Sequence, residues 1–217
     1  MSLITLIWEV VWHPLTVLVP LTNQLGTGIY PILFFLIFLE SGMLIFSFIP
    51  GQSLLFMVGS IAANPSSRLN IWLLVLMFTI AATAGSAVKY LTTLKWGDHQ
   101  EKLIARLPDQ KVEQATAVFT RNQDQTLLIG RFIPFVGLFV PIIAGTTDMN
   151  WRQFRFYNLL GSFIWVFSCS AVGYFFGNTP FIRQNFTWLF IGLLAIPFLA
   201  RQGWQHYRTI KMAKSHN

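Results

Sequence analysis

Two residues in this sequence have types and settings that point to chemistry. Glu40 lies deep in a nearly unbroken apolar run, residues 28–49, and is followed by Ser41-Gly42. Arg131 lies in a second apolar run, residues 126–147, together with Gly130, Pro134, Gly137, Pro141 and Gly145. An ionised acid in a bilayer core costs about 2.5–3.5 kcal/mol on insertion scales, so Glu40 is expected to be neutral, paired or turned to water. It reads either as a helix-end acid capped by a nearby donor or as a proton carrier or ion-pair partner. A guanidinium keeps its charge and offers a planar fork of donors suited to phosphate or carboxylate. Between Gly130 and Pro134, Arg131 stands where a helix breaks, and backbone N–H groups freed there can join it in holding an anion. The plainer alternative is an arginine reaching out to lipid headgroups. Lys89 lies near the end of its own apolar run, and such snorkelling is the behaviour expected of it.

Other chemical constellations are missing from the sequence. The four histidines, His13, His99, His206 and His216, have no metal-ligand spacing, and Cys169 is alone, so no internal disulfide forms. There is no phosphate-cradling glycine loop with a lysine and no Ser or Cys nucleophile motif with a placed His. Gly85-Ser86 reads as helix packing. No metal, no cofactor and no enzyme activity are expected.

The elements that must position Glu40 and Arg131 follow from composition. Residues of the AVILMFWYC set make up 54% of the 217 residues and charged residues 11%, where soluble domains carry about 25% charged residues. With a mean hydropathy of +0.56 and 21 Phe, the chain needs lipid as a solvent. That excludes a cytosolic enzyme, a secreted disulfide scaffold and a disordered protein. The net charge of +7 is spread over short polar stretches between apolar runs, so it reads as topology and not as a nucleic-acid surface. No Lys or Arg precedes Arg68, and no cleaved signal peptide is read.

Along the chain, residues 1–27 hold an apolar run (3–22) interrupted by Glu9, His13, Pro14 and Pro20, which spans or lies in the interface. Residues 28–94 form a first broken segment plus a span over 71–94. The break falls at Pro50-Gly51-Gln52, and the resumed run to Ala63 is too short to cross a core that needs about 20 residues. Residues 95–125 are polar and read as a helical segment outside the membrane. Residues 126–205 hold the second broken segment and two spans, 156–177 and 186–205, and residues 206–217 form a basic tail.

With that tail cytoplasmic, eleven basic residues fall inside and two, Arg68 and Arg183, outside, leaving aside Lys89 and Arg131 within the apolar runs. This obeys the positive-inside rule. The broken segment 28–63 then approaches from outside and 126–147 from inside. The expected fold is an all-α integral membrane protein with two facing re-entrant segments in an inverted repeat, a layout that places a binding site near the bilayer midplane. Run 28–49 is also long enough to cross completely, which stays open.

At these residues the sequence resembles the DedA family of bacterial membrane proteins, within the SNARE-associated Golgi or VTT-domain group. The resemblance is carried by Phe-Leu-Glu40-Ser-Gly, by Phe48-Ile-Pro50-Gly51-Gln52-Ser-Leu-Leu-Phe, and by Gly130-Arg131-Phe-Ile-Pro134-Phe-Val-Gly137-Leu-Phe-Val-Pro141-Ile-Ile-Ala144-Gly145, continuing to Met149 and Phe154. Tyr157-Asn158-Leu-Leu-Gly161 and Gly173-Tyr174-Phe-Phe-Gly177 match as well. The resemblance implies facing re-entrant segments, a bacterial cytoplasmic membrane location, envelope homeostasis, and a transport site with an acidic pair and an arginine pair. Glu40 takes the place of the first acid and Arg131 of the first arginine. Gln52 stands at the second acid, Gly137 at the second arginine, and Gly85-Ser86 at a Gly-Asp. Glu40 and Arg131 are thereby left as the one opposite-charge pair expected deep in the membrane.

The expected site is Glu40, Arg131, Gln52, Pro50, Gly51, Pro134, Gly137, Pro141 and Gly145, with Ser86 and Lys89 secondary. The leading function is translocation of a lipid phosphate, undecaprenyl phosphate or a phospholipid, with proton coupling resting on few titratable groups. Two alternatives remain: a proton-coupled transporter of a small ion or metabolite, and a non-transporting membrane-homeostasis protein. A membrane phosphatase lacks its His and Arg arrangement. Expected partners are membrane lipids and protons, not nucleic acid, with homo-oligomerisation open.

Overall fold

The computed structural model describes residues 20, 22, 24–46, 51–65, 67–104, 116–117, 119–133, 136–147, 149–177 and 179. Among these the chain is helical, with no strand. Helix α1 spans Ile29–Gly42, α2 Gly51–Ala62, α3 Ile71–Ile104, α4 Gln123–Ile129, α5 Val136–Thr146 and α6 Trp151–Phe176. A 3-10 turn, Gly130–Phe132, joins the end of α4 to the approach of α5. The run 3–19, the span expected over 186–205, the basic tail, Pro50 and Pro134 lie outside the described residues.

Length sorts these helices. The 25 residues Ile71–Lys95 of α3 and the 26 residues of α6 are apolar and long enough to cross a membrane. At 1.5 Å per residue the 14 residues of α1 reach only about 21 Å, short of a core about 30 Å thick, and α2 and α5 are shorter still. The long helices begin alike. The Asn70 side chain accepts from Trp72 and Leu73 N–H at 2.9 and 3.2 Å, and the Asn150 side chain accepts from Arg152 N–H at 2.8 Å. Each cap satisfies donors that a helix start leaves open.

Contacts fix the directions of the helices. Asn70 N–H donates to Tyr30 Oη at 2.9 Å, which puts the start of α3 beside the start of α1. Farther along, Gly85 of α3 lies against the end of α1, where a Cβ would stand 2.6 Å from the Phe38 carbonyl oxygen and 2.8 Å from Gly42 N. The two helices therefore run the same way, and the chain between them goes out and comes back. The second half repeats this. Gln153 Nε2 donates to Asp124 Oδ1 at 2.7 Å, joining the starts of α6 and α4, and Gly161 of α6 backs onto the Leu127 carbonyl of α4.

The long helices run antiparallel: Tyr90 stacks on Phe154 with centroids 4.1 Å apart, and Asn158 Nδ2 donates to the Thr83 carbonyl at 3.0 Å. Each short middle helix packs on the long helix of the other half, α2 on α6 and α5 on α3. Glycines permit both approaches. Gly173 of α6 sits on the Phe56 carbonyl, and Gly145 of α5 has its Cβ position 2.9 Å from the Tyr90 carbonyl oxygen. Where lipid tails are as apolar as leucine, such close backbone contact supplies packing energy that hydrophobic burial cannot. Aromatic and aliphatic side chains at Trp72, Leu76, Phe163 and Phe175 stand exposed on the outward faces of α3 and α6, a surface suited to lipid.

Candidate functional site

Glu40, Gln52, Ser86, Arg131 and Asn158 converge where the two helix breaks meet α3 and α6. Glu40 occupies the last turn of α1. Its Oε2 accepts from Ser41 Oγ at 2.9 Å, and its carboxylate lies against the first residue of α2, where a Cβ on Gly51 would stand 3.0 Å from Glu40 Cδ. A side chain at position 51 would displace the carboxylate from the positive end of α2, a favourable place for a negative charge.

Arg131 sits in the 3-10 turn at the second break. Its Nη2 donates to the Ala82 carbonyl at 3.3 Å, to Asn158 Oδ1 at 3.0 Å and, by a short bond, to Ser86 Oγ. The guanidinium carbon is 5.8 Å from the Trp165 ring centroid, within range of a cation–π attraction. Every partner of Nη2 is neutral. Among the described residues Nε and Nη1 donate no hydrogen bond, so one edge of the guanidinium is anchored and the rest is left to bind.

The two breaks touch. Gln52 Nε2 donates to the Arg131 carbonyl at 3.3 Å, and a Cβ at Gly137 would stand 2.7 Å from Arg131 Cα and 2.9 Å from the Gly130 carbonyl oxygen. Position 137 is glycine because the start of α5 packs onto the Arg131 backbone with no room for a side chain. Glu40, Gly51, Gln52, Ser86, Arg131 and Gly137 are thus brought to one place. Pro141 is buried inside α5, and Gly145 lies at the α3–α5 contact against Thr93, away from the Arg131 cage.

Two expectations need correction. Lys89 does not snorkel: it is 4% exposed, because α3 continues to Ile104 and Lys89 lies on its inner face, one turn beyond Ser86. Glu40 and Arg131 are not a direct ion pair either. No ion pair forms among the described residues, and the Arg131 guanidinium rests on the Ala82, Ser86 and Asn158 oxygens instead. Among the described residues the polar centre holds one acid, Glu40, and two cations, Lys89 and Arg131. Asn158 went unrecognised as a ligand of Arg131, although an amide within the apolar run 156–177 is a signal in its own right, since a polar group there must find a partner. Trp165 carried no such signal among eight tryptophans.

The fold and site define a helical membrane protein whose polar centre forms where two interrupted segments meet the two long apolar helices. The VTT domain matches residues 49–175. Protein DedA of Escherichia coli K12 is 32% identical over 205 residues, covering 92% of each chain. The inner membrane protein YqjA of the same strain is 31% identical, covering 91% of this chain and 89% of that one. An uncharacterized membrane protein of Mycobacterium leprae, ML0287, is 32% identical, covering 85% of this chain and 83% of its own. The chain belongs to the DedA family of membrane proteins. No solved structure matches it.

Proposed function

We propose that the chain translocates a lipid phosphate across the membrane, binding the phosphate at Arg131 while the lipid tails stay in the bilayer. One observation carries the reading: Arg131 is held by a single nitrogen on neutral acceptors, so among the described residues no direct contact neutralises its charge and its other donors are open to an anion. Charge-assisted bonds from guanidinium to phosphate are strong and directional. Glu40 is the group that competes with the substrate for positive charge, and its protonation is the step at which a proton gradient couples to transport.

We propose equally that the fold is an inverted-topology repeat, α1–α3 against α4–α6, with both interrupted segments re-entrant. Its support is the matching layout of the two halves: start-to-start bonds at Tyr30–Asn70 and Asp124–Gln153, parallel packing within each half, antiparallel packing of α3 on α6, and exchanged middle helices, α2 on α6 and α5 on α3. Such repeats place binding sites at the midplane between broken helices. Cysteine labelling with an impermeant reagent in intact cells is expected to reach a site introduced in Asn64–Asn70 and not one at Gln125. Labelling in the opposite sense would overturn this orientation.

The function is tested with the purified protein in liposomes carrying labelled undecaprenyl phosphate or phosphatidylglycerol. Protein-dependent movement of label between leaflets is expected, and it should accelerate under an imposed pH gradient. Movement that ignores the gradient would remove proton coupling and keep translocation. No movement of either lipid, with transport of a water-soluble anion instead, would transfer the reading to a small-metabolite carrier.

A further inference from the structure

We propose that Lys89 is the second cation of the site: its ammonium exchanges between the Glu40 carboxylate and an incoming anion, which then lies between Lys89 and Arg131. The proposal rests on the phosphate-binding reading of Arg131 and adds a second cation to it. Lys89 is 4% exposed. The hydrogen bonds formed at this residue go to its carbonyl, from the Thr92 and Thr93 hydroxyls at 3.0 and 2.8 Å, and among the described residues its ammonium donates none. A buried ammonium without a partner is costly, and such a charge inside a membrane protein marks a site or a pair.

Position on α3 says what the ammonium is for. Ser86 and Lys89 are three residues apart and share one face of the helix. Ser86 holds the Arg131 guanidinium, so both cations are directed to the same region. Glu40 approaches that face from α1 across the Gly42–Gly85 contact, and Gly85 lies one turn before Lys89 on α3. The two cations differ in freedom. Arg131 is fixed by three acceptors and the Trp165 ring, whereas a lysine ends in a compact charge on a flexible four-carbon stem. Glu40 already has a resting place once released, on Ser41 Oγ and against Gly51. One acid and two cations leave an excess of one positive charge, so an anion is accepted without a charged partner having to leave the membrane.

The test uses full-length protein in detergent, first without ligand. Glu40→Gln and Lys89→Met are each expected to lower the thermal midpoint, and the double variant to recover most of the loss, since neither charge is then stranded. Strictly additive losses would overturn the pairing. Next, binding of dihexanoyl phosphatidate and of inorganic phosphate is measured. Lys89→Met is expected to weaken phosphatidate binding about tenfold or more, and Lys89→Arg to restore most of it. Wild-type affinity in Lys89→Met would overturn the anion role. Should Lys89→Met fail to fold, Lys89→Met/Glu40→Gln carries the same binding arm. Stronger binding of phosphatidate than of phosphate assigns the anion to a lipid, and equal binding to a free anion; the Lys89 dependence is required in both. Wild type that binds neither probe would defeat the phosphate reading and the anion role of Lys89 together, while the stability cycle still decides the Glu40–Lys89 pair.

Discussion

Arg131→Ala abolishes lipid-phosphate binding and translocation in the expected outcome, and Arg131→Lys loses nearly as much although it keeps the charge. The cage explains the second result. Ala82, Ser86 and Asn158 surround Nη2, whose two N–H groups serve all three acceptors, one N–H being shared. A lysine ammonium has three donors in all, so filling the same cage leaves it at most one for substrate. Arginine has Nε and Nη1 in reserve. Hydrogen bonds to charged groups contribute about 1.5–3 kcal/mol each. Losing two weakens binding by roughly a hundredfold or more, at 1.4 kcal/mol per factor of ten. The measurement is phosphatidate affinity and liposome translocation beside thermal stability, because Arg131→Lys still fills the cage and should stay folded. A lysine variant with full affinity would show that charge alone suffices and that the anchored-fork geometry does not matter.

Much of this arrangement is legible in the sequence, for reasons that particular residues illustrate. Glu40 and Arg131 stand out because an apolar run makes any charge expensive, and the breaks at Gly51 and Gly130–Phe132 stand out because glycine and proline punctuate helices in any solvent. The two long helices follow from uninterrupted apolar length. Lys89 was misread because the apolar pattern ends near residue 94 while the backbone helix does not. A snorkelling lysine needs a nearby helix end facing the headgroups, and α3 turns this face to the interior. Asn158 was missed as a ligand, and Ser86 was placed in the site only as a secondary member, for another reason. Neither has a charge to betray it, and each acquires its role only when the Arg131 turn is laid between α3 and α6. Ser86 shows how tertiary position changes a meaning: a small residue suited to helix packing is also the hydroxyl that accepts from the guanidinium. The displaced acidic and arginine positions at Gln52 and Gly137 were visible as departures from the family pattern. That both touch the Arg131 backbone was not, because periodicity carries no information about which turn of one half meets the other.

Restoring those family charges should be costly in this chain. Gly137→Ala alone is expected to destabilise by about 1–3 kcal/mol, the usual cost of overpacking, since its Cβ would stand 2.7 Å from Arg131 Cα, backbone that cannot swing aside. Gly137→Arg adds a second guanidinium beside Arg131 with no new acid, and an uncompensated buried charge costs about 3–5 kcal/mol. Gln52→Asp supplies a carboxylate but removes the amide that donates to the Arg131 carbonyl, so it loses the bond that joins the two breaks. In the double variant the charges compensate, and a coupling of about 0.5–3 kcal/mol between neighbours is expected. The steric term remains, because a carboxylate at 52 does nothing for the space at 137. The double variant should therefore unfold at a temperature above Gly137→Arg and below wild type, with Gly137→Ala as the ceiling, when all are melted in one detergent. Zero coupling would mean that a side chain at 52 cannot reach one at 137. A double variant as stable as wild type would mean that the turn from Gly130 to Gly137 opens readily, and that close packing on Arg131 is not what holds its guanidinium in the cage.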